Sequence, residues 1–202
     1  MILIVGQNEI LDFSPRKVTI FSTTSNSVIC STRSFQNKIQ IVKANKQRMI
    51  ILEKNLLHIY STEEMKSLHT LNIRNVQIGK IILSPCCDKN NFICYSDSSD
   101  EGVVKIYDLN YLTYKTSITA HKSPISKMAI NRRGDLLATC SNKGTIIRIF
   151  SLPIGEKIFT FKRGISNVQI YYMNFSNDSQ KIIISSDSGT IHVFDLYSEL
   201  PE

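Results

Sequence analysis

Three short segments of this chain bring together the groups that hold a phosphate. Ser141-Asn142-Lys143-Gly144-Thr145-Ile146-Ile147-Arg148 offers hydroxyls, a glycine backbone and a guanidinium in one stretch. Ser185-Ser186-Asp187-Ser188-Gly189-Thr190-Ile191-His192 offers a parallel set, with Thr190 and His192 on one face of an extended segment. Between them lies Phe161-Lys162-Arg163-Gly164, whose adjacent basic side chains point to opposite faces of an extended chain. Hydroxyls, amide N–H groups and a forked cation are the donors that phosphate oxygens require. The pattern predicts two anion pockets flanking one basic pair.

Turn chemistry competes for the same residue types, because Ser, Thr, Gly and Asp also build hairpins. His121, in Ala120-His121, fits a strand-orienting histidine of a WD-type repeat at least as well as a ligand contact. Arg148 is harder to explain in this way. A cation on an inner strand needs a partner or a place at the rim, and no Asp or Glu of its own segment is an obvious mate.

The charge distribution points the same way. The 202 residues carry a formal net charge of +7. Between His121 and Gly164 lie Lys122, Lys127, Arg132, Arg133, Lys143, Arg148, Lys157, Lys162 and Arg163, opposed only by Asp135 and Glu156, which accounts for that whole charge. The partner implied is anionic, either nucleic acid or a membrane surface. Nucleic acid ranks lower, since the segment lacks the aromatics interleaved with cations on which bases stack. His58, His69, His121 and His192 have no neighbours forming a triad or a metal motif, which argues against an enzyme.

Other classes fall away on composition. With 42% hydrophobic residues, 8 Gly and 5 Pro, the chain is not collagen-like or disordered. No apolar run approaches the roughly 20 residues of a membrane-spanning helix, and Met1 to Val5 lacks the basic flank of a signal peptide. Cys30, Cys86, Cys87, Cys94 and Cys140 are odd in number and irregular in spacing, which implies a reducing, cytosolic setting. Cys86, Cys87 and Cys94 lack the CxxC pair or nearby histidine that zinc requires, so no metal or other cofactor is expected. Nothing in the sequence sets an oligomeric state.

The elements that must position these groups repeat. An apolar residue, an aromatic and then Ser or Asp recur at Ile20-Phe21-Ser22, Ile59-Tyr60-Ser61, Ile106-Tyr107-Asp108, Ile149-Phe150-Ser151 and Val193-Phe194-Asp195. The period of about 40–45 residues is that of a four-stranded propeller blade. The clearest unit reads as strands over Ile125 to Ile130, Leu136 to Cys140, Thr145 to Phe150 and Lys157 to Phe161. The next unit reads Tyr171 to Phe175, Lys181 to Ser185 and Thr190 to Leu196. The fold expected is an all-β, WD-type β-propeller with approximate blades 1–37, 38–72, 73–120, 121–161 and 162–202. It totals 18 strands, three in the first blade (Ile2 to Val5, Val18 to Phe21, Val28 to Thr32) and three in the last.

These residues also carry a resemblance. Ala120-His121-Lys122-Ser123-Pro124-Ile125, the run from Ala138 to Phe150, and Phe161-Lys162-Arg163-Gly164 resemble the PROPPIN family over nearly the whole chain. The resemblance implies part of a seven-bladed propeller, about five blades, that binds phosphatidylinositol 3-phosphate and the 3,5-bisphosphate. It implies a non-enzymatic adaptor, peripheral on phagophore, autophagosome, endosome or vacuole membranes. It implies a first pocket of Thr139, Ser141, Gly144, Thr145, Arg148 and Lys162, and a second of Arg163, Gly164, Ser186, Thr190 and His192. Ser14-Pro15-Arg16 resembles the loop through which the autophagy branch engages a lipid-transfer partner, with Pro15 and Arg16 as contacts. The family has arginine where Lys162 stands, so the charge is kept and the bidentate geometry lost. The family's long membrane-inserting loop would begin where this chain reaches Leu200-Pro201-Glu202. A WD-type protein scaffold without lipid binding is the alternative.

Overall fold

The computed structural model describes residues 2–7, 14–73, 80–85, 88–96 and 102–197, which contain 18 strands and no helix. Cys86, Cys87 and Leu200-Pro201-Glu202 lie outside the described residues. The chain divides into two compact units, Met1–Ile73 and Arg74–Glu202. In the first, β1 (Ile2–Val5), β2 (Val18–Ser22) and β3 (Ser27–Ser31) form one sheet. A second sheet comprises β4 (Ile39–Ala44), β5 (Arg48–Glu53), β6 (Leu56–Ser61) and β7 (Ser67–Asn72).

The other unit holds three sheets. The first of them is β8 (Ile81–Leu83), β9 (Phe92–Tyr95), β10 (Val103–Asp108) and β11 (Thr113–Thr119). Next come β12 (Ile125–Ile130), β13 (Leu136–Ser141), β14 (Ile146–Ser151) and β15 (Lys157–Lys162). The last is β16 (Ile170–Phe175), β17 (Lys181–Ser186) and β18 (Ile191–Asp195). Every sheet is an antiparallel meander. Strand positions follow the sequence pattern with small differences at the ends. Thr190 to Leu196 shortens to β18 because Leu196 has left the ladder, its N–H bonding the Gln180 carbonyl at 2.8 Å.

The recurring apolar-aromatic-Ser/Asp motif has a geometric cause. In β2, β6, β10 and β14 it ends the strand, and the ladder to the next strand shifts register between its apolar and aromatic residues. The residue four positions beyond the Ser or Asp then has positive φ in every case: Asn26, Met65, Leu112 and Gly155. The Ser or Asp side chain accepts a turn N–H, from Ser25 at 3.1 Å, Glu64 at 3.2 Å, Tyr111 at 3.1 Å and Glu156 at 3.1 Å. The motif thus caps a hairpin turn four times, four residues long after β2 and β10 and five after β6 and β14.

Packing follows from side-chain alternation. All six residues of β13 are buried. Leu137 joins Phe150, Ile118 and Ile106 in the core shared with the β8–β11 sheet. Ala138 and Cys140 join Ile147, Ile149, Ile182 and Ile184 in the core shared with the β16–β18 sheet. Burial of each large aliphatic side chain contributes about 1.5–3 kcal/mol. In the Met1–Ile73 unit, Val18, Phe35, Met49, Ile51 and Tyr60 play the same part between its two sheets.

The β12–β13 turn is held by a single side chain. Asn131 Oδ1 accepts the N–H of Asp135 at 3.1 Å and of Leu136 at 3.0 Å, while its amide donates to Ser179 Oγ of the following sheet at 3.0 Å. Replacing Asn131 by Ala leaves two N–H groups without their acceptor, and is expected to lower stability by about 2 kcal/mol. A shift of the urea midpoint at unchanged m-value checks this.

Candidate functional site

Pairing of β13, β14 and β15 decides which polar side chains can meet. Residues opposite one another in an antiparallel pair share a face. Thr139 lies opposite Arg148, Arg148 opposite Thr160, and Ile146 opposite Lys162. Thr139, Ser141, Arg148 and Lys162 therefore belong to the face turned toward the β8–β11 sheet. Phe161, on the other face, packs into the core shared with the β16–β18 sheet. Arg163 follows Lys162 and is directed to that second side.

At the first seam the structure closes a ring of hydrogen bonds. Arg148 Nη1 donates to the Ala120 carbonyl and to His121 Nδ1, both at 2.9 Å. Because Nδ1 accepts, the ring proton sits on Nε2, which donates to Thr139 Oγ1 at 3.0 Å. Thr139 Oγ1 donates in turn to the Arg148 carbonyl at 3.3 Å. Among the described residues Arg148 is thus held by a carbonyl and a neutral imidazole, with no carboxylate paired to it. Thr139 is fully buried, so it acts by orienting His121.

Beside this ring opens a cleft of about 450 Å³, with Ile118 and Phe150 as apolar lining and Lys122, Arg148, Lys157 and His121 as polar lining. Among the described residues no Asp or Glu lines it. Lys162 is exposed and Thr145 half-buried at the end of the same sheet, and the Thr145 carbonyl accepts the Arg163 N–H at 2.9 Å. Ser141 is buried and its carbonyl accepts the N–H of Gly144 at 3.0 Å. Gly144 has φ +66, and a Cβ there would meet the Val168 carbonyl oxygen at 2.2 Å, so only glycine fits. Lys122, Lys157 and His121 were not among the residues singled out as ligands. The local signal for them was the Ala-His-Lys tripeptide; Lys157 gave none.

At the second seam the groups align differently. Ser186 Oγ, Ser188 Oγ and Thr190 Oγ1 form a chain with two 2.8 Å steps that ends on His192 Nε2 at 3.1 Å. Ser188 is the member of this ladder that sequence reasoning missed. Arg163 is turned back, its Nε donating to the Gly144 carbonyl at 2.8 Å and its Nη2 to that of Ser166. No hydrogen bond joins it to Ser186, Thr190 or His192. Gly164, beside it, is half-buried with open space at its Cα. Rings run along this second seam: His192 stacks on Phe194, Phe194 on Phe161, and Phe161 on Phe159, with centroids 6.1, 5.0 and 6.0 Å apart.

In the other unit, Pro15 is buried and Arg16 half-buried. Their carbonyls accept the N–H groups of Ile39 at 2.9 Å and Phe35 at 2.8 Å, which ties this turn to the following sheet. Buried Cys94 and Cys140 have thiols pushed up by desolvation, Cys140 to about 11, so neither is a nucleophile.

A family model described as PROPPIN matches residues 5–200. The chain belongs to the PROPPIN family. This PROPPIN chain is 38% identical over 194 residues to "Autophagy-related protein 18" of Dictyostelium discoideum, a match covering 96% of the chain and 51% of that protein. It is 37% identical to "WD repeat domain phosphoinositide-interacting protein 1" of Xenopus laevis, covering 93% of the chain and 43% of that protein. The chain therefore spans about half the length of the curated relatives it matches. Among solved structures it superposes on KlAtg21, determined with the coiled coil of AgAtg16, at a TM-score of 0.81 and 27% identity over 97% of this chain and 63% of that one. It also superposes on Kluyveromyces lactis Hsv2 at a TM-score of 0.79 and 21% identity, over 91% and 56% of the two chains, a likeness of fold. The fold is an incomplete β-propeller.

Burial, reinforced by the Arg148 guanidinium, pushes His121 from its ordinary 6.5 down to about 4. The unfolded chain therefore binds a proton that the folded chain refuses. Stability from this group is complete above pH 6.5 and is lost as pH falls toward 4, by up to about 3 kcal/mol. Urea denaturation at pH 7 and pH 5 should show this loss in the wild type and a smaller one in His121→Gln.

Proposed function

We propose that this chain is the headgroup-reading part of a phosphoinositide-binding, non-enzymatic adaptor. The ligands are phosphatidylinositol 3-phosphate and the 3,5-bisphosphate, met on membranes of the autophagic and endolysosomal system. The observation that carries this reading is the Arg148–His121–Thr139 ring beside a cleft whose charged lining, among the described residues, is entirely basic. A guanidinium fixed by neutral partners keeps its full charge for an incoming anion, and pays no prior pairing that the phosphate would have to break. Lys122, Lys157 and exposed Lys162 add point charges, each contributing roughly 1 kcal/mol near an anionic leaflet. Ser141, Gly144 and Thr145 belong to the same first pocket. In the second, Arg163 and Gly164 act with the Ser186–Ser188–Thr190–His192 ladder, Arg163 exchanging its carbonyl partners for phosphate oxygens on binding. Two modest sites on one body give avidity without one tight pocket.

The names of the relatives support this reading, since one is a phosphoinositide-interacting protein and another an autophagy-related protein. The complex of KlAtg21 with a coiled coil favours a second activity, recruitment of a protein partner. A lipid-transfer protein meeting Arg16 beside buried Pro15 is one such partner.

Flotation with phosphatidylcholine vesicles containing phosphatidylinositol 3-phosphate tests the lipid reading. Lys162→Thr combined with Arg163→Thr is expected to weaken vesicle binding at least about tenfold. Binding that ignores phosphoinositide content, or survives that double substitution, would reject lipid reading in favour of a protein scaffold.

A further inference from the structure

The four capped hairpin turns, four residues long after β2 and β10 and five after β6 and β14, carry different tips. The residue three positions beyond the motif's Ser or Asp is Ser25, Glu64, Tyr111 or Ile154. In the Met1–Ile73 unit the tips are polar, and Glu64 pairs with Lys66 at 3.3 Å. In the other unit both tips are large and apolar, and Tyr111 and Ile154 are each 75% exposed. The turn length does not demand an apolar residue there, because Ser25 stands in a turn as long as that of Tyr111, and Glu64 in one as long as that of Ile154. Neither Tyr111 nor Ile154 belongs to a core cluster. Two neighbouring sheets thus each present one apolar side chain to solvent, three residues beyond the capping Ser or Asp.

Their surroundings identify the occupant. Gly155, next to Ile154, lines the cleft that holds Lys122, Arg148 and Lys157. Against these three cations stands one exposed carboxylate of the turn, Glu156. The Tyr111 ring lies under Lys115 Nζ, 5.2 Å from its centroid, and that ammonium also neutralises Asp108 at 3.3 Å. An apolar or aromatic tip beside lysines is the combination that settles at a bilayer interface, with the side chain at the acyl boundary and the cations among anionic headgroups.

We propose that Ile154 and Tyr111 form an interfacial ridge that enters an anionic bilayer while the adjoining cleft holds a lipid headgroup. The inference rests on the phosphoinositide reading and adds to it a contact with the lipid surface itself. It makes bilayer binding stronger than binding of the same headgroup in solution.

The chain contains no tryptophan, so Ile154→Trp introduces a single reporter. With phosphatidylcholine vesicles containing phosphatidylinositol 3-phosphate, its emission should shift to the blue and be quenched by brominated acyl chains. Ile154→Ser should weaken binding to these vesicles by about tenfold, and its combination with Tyr111→Ser by more. Binding of water-soluble dibutanoyl phosphatidylinositol 3-phosphate should be unchanged in both variants. An unshifted tryptophan on vesicles that retain the protein, with undiminished affinity of Ile154→Ser, overturns the ridge and leaves headgroup reading standing. A wild-type chain that binds neither vesicles nor the soluble lipid overturns both. A fall in soluble-lipid binding by Ile154→Ser would assign Ile154 to the headgroup cleft instead of the ridge.

Discussion

The middle strand β13 must satisfy two cores at once, and that constraint organises the site around it. β13 is buried along its whole length, so its successive side chains alternate between the seam with the preceding sheet and the seam with the following one. Leucine, alanine and cysteine meet this demand by filling space. Thr139 meets it by hydrogen bonding, because a buried hydroxyl without a partner is costly. The strict period of two that fills the cores also sends Arg148 and Lys162 to one seam and Arg163 to the other.

Arg148 illustrates how a buried seam keeps a charge without losing it. A carboxylate partner would neutralise the guanidinium and close the site. Here the partners are the Ala120 carbonyl and the acceptor nitrogen of His121, and the imidazole stays neutral because burial and the nearby cation both oppose its protonation. Thr139 fixes the tautomer that makes this possible. Lys122, Arg148 and Lys157, from the basic segment between His121 and Gly164, thereby direct a positive field at one cleft.

Much of the architecture was legible in the chain. The apolar-aromatic-Ser/Asp motif located five strands and their period, and the strand limits in β12 to β18 follow the apolar runs within a residue or two. The reason is local: hairpins between adjacent strands are set by short-range turn chemistry and by alternation. The meaning of the motif's last residue was not legible. A Ser or Asp ending a strand reads as a turn former, whereas its capping of one specific bulged turn with positive φ appears only in the register of the ladder.

The chain alone determined an all-β repeat, the basic segment, and the assignment of Lys162 and Arg163 to opposite faces, because period and charge are properties of nearest neighbours. Tertiary structure decided the rest. His121 and Arg148 are 27 residues apart and meet only when two sheets pack. Lys157 joins them from a third strand, and Arg163 folds back onto Gly144 and Ser166. Neither Ile154 nor Tyr111 carries a sign of its exposure in the sequence. Only the packed sheets leave them outside, since exposure depends on which neighbours arrive from elsewhere in the chain.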